Sequence, residues 1–269
     1  PRAITLYSMA DPQKDCVLGA QGGVYARPAS GLNWILDAGA ATRRAVSEQD
    51  VVNWTRVAHA LPNIHFAAEA YDQAGRQESM EVRATARMLP YTDKPIMVSG
   101  VSGEGMRWIH RLTEVAQPTG RQPRAMMLSS VNSPLHYSHG QLEAAMVSAE
   151  LGIPVLVNSS AVSGATAPVT LAGDLVQMNA EMLAALTILQ LHRPGAAVVY
   201  TGHPVIMDMR SGISAFGFAE IGLLAAACVE LGRFYGLPTA SDGVTADSCA
   251  PDAFAASEKW ASGHLPLMA

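Results

Sequence analysis

The chain is 269 residues long, 49% apolar and only 15% charged, which is too much burial material and too little net charge for a disordered polymer. A net charge of −5 without any Lys/Arg run gives no electrostatic footprint for a nucleic-acid backbone or an anionic membrane. Small molecules and proteins are the expected partners, a second copy of the chain in a homo-oligomer included, and the length suits one domain, since an α/β barrel takes about 250 residues.

In chain order, Val24 to Leu36 reads as a β-hairpin with a long turn at Arg27-Pro28-Ala29-Ser30-Gly31. Ser47 is the expected N-cap of a helix from Glu48 to Ala60, with Pro62 closing it. Residues 1–62 are therefore expected to form an N-terminal cover of hairpin and helix, and residues 63–269 a (β/α) barrel. From Asn63 onward short β-rich runs alternate with longer helical patterns, as in a parallel sheet covered by helices. The expected strands are Ile64–Ala68, Ile96–Ser99, Ala125–Ser129, Val155–Asn158, Ala197–Thr201 and Thr239–Asp242. Most are continuously apolar, as strands buried on both faces are. Helices are expected over Gln77–Leu89, Gly105–Ala116, Gln141–Leu151, Leu175–Leu191 and Phe218–Tyr235, with a last one beginning near Pro251. Two of them stop on the same phrase, Glu150-Leu-Gly-Ile-Pro154 and Phe234-Tyr-Gly-Leu-Pro238, with Gly where a left-handed cap is wanted and Pro to forbid continuation. Six parallel strands fall short of the eight that close a TIM-type (β/α)8 barrel, so the barrel is expected to be incomplete, lacking its last strands. An open doubly wound sheet is the alternative, weakened because no Gly-x-Gly-x-x-Gly follows the first strand.

Cys16, Cys228 and Cys249 are odd in number and far apart, giving neither a disulfide framework nor a metal-ligand pair, and a reducing cytoplasm is the simplest setting. The longest apolar helical runs, around Met182–Leu191 and Ile221–Leu231, are about half of the ~18 residues a membrane span needs. Lys14 and Asp15 interrupt any signal-peptide core, and Pro1 stands where a trimmed or partial chain would begin.

Barrel active sites form at the carboxyl ends of strands, and the segments there are polar. After the second strand comes Ser99-Gly-Val-Ser-Gly-Glu104-Gly, which resembles a phosphate loop but lacks the Gly-Lys-[Ser/Thr] ending. The third is followed by His136, Tyr137 and His139, the fourth by Asn158, the fifth by His203, Asp208 and Arg210, and the sixth by Asp242 and Asp247. Asp208 and Arg210 form either a local ion pair or a substrate grip, Arg210 taking a carboxylate in its planar fork. Asn179 and Glu181 stand inside an otherwise apolar helix, where a buried carboxylate needs a partner. His136 and His139 have metal-ligand spacing without a third ligand at a recognisable distance.

Leu151-Gly-Ile-Pro-Val-Leu-Val, Gly164-Ala-Thr-Ala-Pro-Val-Thr-Leu-Ala-Gly173 and Asn179-Ala-Glu181-Met-Leu-Ala together resemble the trimethylamine methyltransferase family. The likeness continues through Pro194-Gly-Ala-Ala-Val-Val-Tyr200, Met207-Asp-Met-Arg210-Ser-Gly212, Tyr235-Gly-Leu-Pro238, Asp247-Ser248 and Pro251-Asp252-Ala253, with His59-Ala-Leu-Pro-Asn-Ile64 and Thr5-Leu-Tyr7 upstream. Founding members carry pyrrolysine; this sequence has only standard residues, so the resemblance is to the nonpyrrolysine branch that includes glycine betaine methyltransferases.

The resemblance implies a TIM-barrel methyltransferase that passes a methyl group from a quaternary or tertiary methylamine to Co(I) of a corrinoid. It also implies that the corrinoid is supplied by a partner protein rather than bound tightly here, and that members are usually much longer than this chain. Residue roles are expected from strand-end position. Glu181, Asp208 and His203 are the catalytic candidates; Arg210, Tyr200, Tyr137, Asn158, Asn179 and Glu104 are the substrate-binding ones; no metal ligands are expected. Glu104, Glu181 or Asp208 would face the substrate cation, Arg210 and His203 its carboxylate, and Tyr137 and Tyr200 would form a partial wall. Asn158, Glu181, Tyr200, His203, Asp208 and Arg210 should then converge on one cavity. The alternatives are a metal-dependent barrel lyase or hydrolase built on His136, His139 and His203, or an inactive truncated barrel that only binds a small amine.

Overall fold

The computed structural model describes residues 3–19, 22–37, 39–73, 79–116, 120–248 and 250–269. The chain opens with an antiparallel hairpin, β1 (Ala3–Leu6) and β2 (Cys16–Gly19), followed by a small ladder of β3 (Trp34–Ile35) and β4 (Arg44–Ala45) and then α1 (Glu48–Ala60). Helix α1 has the expected bounds because Ser47 and Asp50 form a capping box, each side chain bonded to the other's backbone N–H. Its buried residues, Val51, Thr55 and Ala58, repeat at helical spacing.

The rest is a β/α series: β5 (Ala67–Ala68), α2 (Met80–Met88), β6 (Ile96–Ser99), α3 (Gly103–Val115), β7 (Ala125–Val131), α4 (His139–Glu150) and β8 (Val155–Ser159). After β9 (Val162–Ser163) come α5 (Leu171–His192), β10 (Val198–Gly202), β11 (Val205–Asp208), β12 (Ile213–Ala215), α6 (Ala219–Phe234), β13 (Thr239–Ser241) and α7 (Ala253–Met268). Strands 5, 6, 7, 8, 10 and 13 form one parallel sheet in chain order, each followed by a helix. The repeated stop phrase is a cap in both places: Gly152 and Gly236 take φ of 74° and 66°, and Ile153 and Leu237 donate back to the carbonyls of Ser148 and Gly232.

Right-handed crossovers that always advance in one direction place every helix on the same face of a sheet. The helices accordingly form one layer in which each packs on the next, from α1 to α7. A doubly wound sheet would reverse its order and carry helices on both faces. The sheet is also curled. Were it flat, β5 and β13 would lie about 24 Å apart, five spacings of ~4.8 Å. Yet Arg27 stands 3.4 Å from Asp242, just past β13, and feels the charge of Glu69, just past β5. The architecture is a curled six-stranded half-barrel; among the described residues β5 and β13 do not pair, and a closed eight-stranded barrel is not formed.

The two faces of the sheet carry two cores. Ile96, Val98, Met127, Val155, Val157 and Val198 face the helices. Phe66, Met97, Met126, Leu156 and Val199 face inward, where Ile4, Leu6 and Cys16 of the β1–β2 hairpin join them. That hairpin lies at the amino-terminal ends of the strands, since Tyr7 and Met9 donate to Pro123 and Asp93, which precede β7 and β6.

Three expectations need correction. Val24–Leu36 does not fold on itself; it runs extended beside β5, with the carbonyls of Ala26 and Leu32 accepting from His65 and Tyr71 and Gly31 donating to Glu69. An exposed strand edge has unpaired backbone groups, and here they outcompete a local hairpin. For the same reason the first barrel strand is ladder-paired to β6 only at Ala67–Ala68. The loops after β8 and β10 hold an unforeseen three-stranded sheet, β12-β11-β9. Gln77, the expected start of the second helix, and Cys249 lie outside the described residues. Among the described residues no helix is long and apolar enough to cross a membrane.

A close backbone approach between two helices gives a test of the packing. A Cβ on Gly222 of α6 would come 2.6 Å from the backbone oxygen of Ala261 in α7. Gly222→Ala should therefore cost about 1–3 kcal/mol by overpacking, read as a lower denaturation midpoint. An unchanged midpoint would mean that α7 is not seated on α6 there.

Candidate active site

Side chains alternate across a strand, so the positions two residues beyond the inner core lie on the same face, nearer the carboxyl ends. From Met97, Leu128, Leu156 and Val199 this period leads to Ser99, Ser130, Asn158 and Thr201, and onward from Thr201 to His203. The apolar lower half of the half-barrel thus gives way to a polar mouth.

Glu69 is fully buried at this mouth. Its Oε1 accepts from the Ser99 backbone N–H at 2.9 Å, the Ser99 hydroxyl at 2.7 Å and the Tyr71 hydroxyl at 3.0 Å, while Oε2 has no partner. Burial pushes its pKa up against the pull of those hydrogen bonds. Across the opening, Arg27 pairs with Asp242, and Asp242 contacts Nδ1 of His203. Burial, followed by the Arg27 charge, lowers the His203 pKa to about 4, whereas the Asp242 carboxylate favours a proton on Nδ1. A neutral ring that donates Nδ1–H to Asp242 and keeps Nε2 as an acceptor satisfies both. The Phe216 ring stands edge-on to His203, centroids 5.8 Å apart. Asp247 holds Phe216 there by accepting from the backbone N–H groups of Phe216 and Gly217, and Glu258 in turn accepts from those of Asp247 and Ser248.

The nine residues expected from sequence fall into three groups. Asn158 and His203 are at the mouth. Tyr200, Asn179, Glu181 and Tyr137 lie on the other side of the sheet, among the helices. The Tyr200 hydroxyl donates to Asn179 Oδ1 at 2.8 Å, and the Asn179 amide donates to the Tyr235 hydroxyl at 2.9 Å. Glu181 accepts from the Ser133 and Ser159 hydroxyls, the Leu135 N–H and the Gln177 amide at 2.6–3.1 Å, and its backbone carbonyl takes the Tyr137 hydroxyl. Its carboxylate therefore ties α5 to the end of β8 and to the β7–α4 loop. Arg210 and Glu104 are exposed, and Asp208 is half-buried. Asp208 shapes the β11–β12 turn by accepting from the Arg210 N–H and the Ser211 hydroxyl, and the Arg210 guanidinium has no part in that turn. The expected convergence of six residues on one cavity is not what the geometry shows.

Glu69, Arg27, Ser99, Thr201 and Asp242 join the site instead. Glu69 had a faint signal, a lone carboxylate ending an apolar strand; Arg27 had none, being read as part of a turn. The α3 N-terminus is already served by the chain itself, Ser102 capping Gly105 at 3.0 Å and Glu143 accepting from Gly103 at 3.4 Å. Among the described residues no three His, Cys, Asp or Glu side chains gather as a metal site, so the alternative built on His136, His139 and His203 gains no support. A cavity of about 320 Å³ lined by Met9, His59, Tyr91 and Asp93 lies at the opposite, amino-terminal end, where barrel residues serve stability.

A family profile described as trimethylamine methyltransferase (MTTB) matches residues 1–269. The chain belongs to the trimethylamine methyltransferase family. Among its relatives, a trimethylamine methyltransferase of Methanosarcina thermophila is 33% identical over 230 residues, 82% of this chain and 47% of that protein. A glycine betaine methyltransferase of Desulfitobacterium hafniense is 32% identical over 269 residues, covering 96% of this chain and 54% of the relative. The chain spans about half the length of these curated family members. Among solved structures, a dihydropteroate synthase from Stenotrophomonas maltophilia aligns with a TM-score of 0.44 and 12% identity, covering 72% of this chain and 66% of that one. The family motif Gly164–Gly173 builds the entry to α5: Thr170 caps it by accepting from Gly173, and Thr166 takes the Val162 N–H.

Asp174, fully buried in the first turn of α5, gives a pH test. Burial, together with the Glu181 charge, raises its pKa to about 6 against the Ser163 hydrogen bond. A carboxyl raised in the folded state adds stability that is present at pH 4 and lost as pH rises through 6. Asp174→Asn removes that loss. Relative to wild type, the variant should gain about 1–3 kcal/mol in unfolding free energy between pH 4 and pH 7. A pH-independent difference between the two proteins would show that the carboxyl titrates normally.

Proposed function

We propose that this chain binds a quaternary or tertiary methylamine, of the betaine type, and presents one N-methyl group to the Co(I) of a corrinoid carried by a separate protein. The observation that carries this reading is the family match along the whole chain, joined to relatives named for trimethylamine and for glycine betaine.

In such a transfer the acceptor attacks the methyl carbon in line, the C–N bond breaks and its electron pair stays on nitrogen. A quaternary substrate leaves as a neutral tertiary amine, so no residue needs to deliver a proton to it. What the protein supplies is alignment and exclusion of water. The mouth suits both demands. Its lower end is sealed by the β1–β2 hairpin, and it carries charges of both signs, Glu69 and Asp242 against Arg27. Arg27, with His203 beside it, is placed to take a substrate carboxylate, the role expected of Arg210.

The rim supports a protein partner. Val101, Leu135, Val169, Met209, Ile213 and Val244 all stand on the loops and the β11–β12 hairpin past the strand ends, each 38–68% exposed. Apolar side chains grouped at one opening mark a surface that another macromolecule covers. The Met209-Arg210 tip of the hairpin is the element proposed to reach it.

The test is to incubate the protein with glycine betaine or a simple methylamine and a Co(I) corrinoid protein, following methylation of the corrinoid by absorbance. Methyl transfer is expected, and none with any methylated amine would sink the reading. Arg27→Lys keeps the charge but loses the planar fork, so kcat/KM for glycine betaine should fall roughly ten- to a hundredfold. A simple amine should be nearly insensitive. Equal loss on both would make Arg27 a structural link between strand ends.

A further inference from the structure

We propose that Glu69 is the seat of the substrate's methylated ammonium cation, an assignment that rests on the methyl-transfer reading. A fully buried carboxylate is costly unless it is paired or saturated with donors, and the other buried carboxylates show how this chain meets that need. Glu181 takes four side-chain and backbone donors. Glu258 bonds two backbone N–H groups; Asp174, in the first turn of α5, takes one hydroxyl on Oδ2 and leaves Oδ1 bare. Glu81 has no partner on either oxygen, but it lies between the first turns of α2 and α3, against Gly105, in the helix layer.

Glu69 shares a bare oxygen with Asp174 and Glu81, but of the three it alone has its other oxygen held by several donors. Three donors fix Oε1 in place, so the carboxylate is oriented rather than loose, while Oε2 is buried and bare at the mouth. Among the described residues no Lys or Arg forms an ion pair with it; Arg27, the near cation, is engaged by Asp242. A quaternary ammonium has no N–H to donate, so a hydrogen-bond acceptor cannot recognise it as it would a protonated amine. It needs a negative charge held out of water, and its own positive charge opposes the burial that pushes the Glu69 pKa up. With the carboxylate of a betaine on Arg27, substrate and mouth are charge-matched at both ends.

The experiment compares glycine betaine with 3,3-dimethylbutyrate, the isostere in which the charged nitrogen is carbon, by calorimetric titration of the protein without any corrinoid. Wild type should bind the betaine at least tenfold more tightly than the isostere. Glu69→Gln should weaken the betaine by roughly ten- to a hundredfold and erase the preference. Should that variant fail to fold, the Tyr71→Phe, Ser99→Ala pair, which keeps the carboxylate but leaves Oε1 only the Ser99 backbone N–H, should reduce the preference several-fold. Betaine binding that is unchanged in Glu69→Gln, or in that pair, overturns the assignment and leaves the methyl-transfer reading standing. Wild type that binds no methylated ammonium removes both.

Discussion

A parallel sheet whose crossovers all advance in one direction has helices on one face only, and the rest of this structure follows from how the other face is covered. The sheet curls, and the β1–β2 hairpin inserts Ile4, Leu6 and Cys16 against the inward side chains of five strands. That filling reaches only the amino-terminal half. Two residues further along each strand, the inner positions turn polar at Ser99, Asn158 and Thr201. The extended segment beside β5 completes the arrangement by carrying Arg27 across to Asp242, so that the two edges of the sheet meet through one guanidinium. Curl, plug and bridge are three consequences of a single winding direction.

Buried carboxylates do two kinds of work in this frame. On the helix side, Glu181 is saturated with donors from three separate segments, and a carboxylate in that condition orders its surroundings rather than reacting. It sets the height of the β7–α4 loop, which carries Leu135 at the rim, and of Ser159, the neighbour of Asn158. Asp247 and Glu258 act in the same way between loops, fixing Phe216 against His203. On the inner side Glu69 is only half satisfied. Asp174 and Glu81 also leave oxygens bare, so it is that asymmetry together with a place beside Ser99 and across from Arg27 that makes Glu69 a candidate for binding.

Strand positions and helix caps were legible in the sequence because they depend on local chemistry. Apolar runs marked all six barrel strands, Ser47 declared the start of α1, and the two Gly-x-Pro phrases ended α4 and α6 where the backbone needs positive φ. What stayed hidden depends on long-range pairing. The segment around Arg27 looked like a hairpin because nothing local says that β5 will offer it an edge. Proximity to a strand end also proved an incomplete guide to the site, because it ignores which way a side chain points. Tyr200 and Thr201 are neighbours on β10, yet one faces the helices and the other the mouth. Glu181 looked out of place in an apolar helix, and the structure gives that anomaly a definite set of partners on the helix side.

Methyl transfer from a quaternary nitrogen makes an unusual demand, because the reaction needs neither acid nor base but does need a dry site. The chemistry of this mouth agrees with that order of priorities. The His203 ring is held neutral by burial and by Arg27, and its Asp242 contact fixes its orientation, so it is suited to accept a hydrogen bond from a substrate or product and ill suited to protonate one. Dryness is the unmet condition, since the half-barrel is sealed below by its hairpin while its upper rim stands open. The apolar side chains on that rim, from Val101 round to Val244, offer no means of closing it by themselves, but they are the kind of surface a docking protein covers. In the proposed reaction the partner that brings the methyl acceptor is therefore also the lid, and exclusion of water is coupled to delivery of the second substrate.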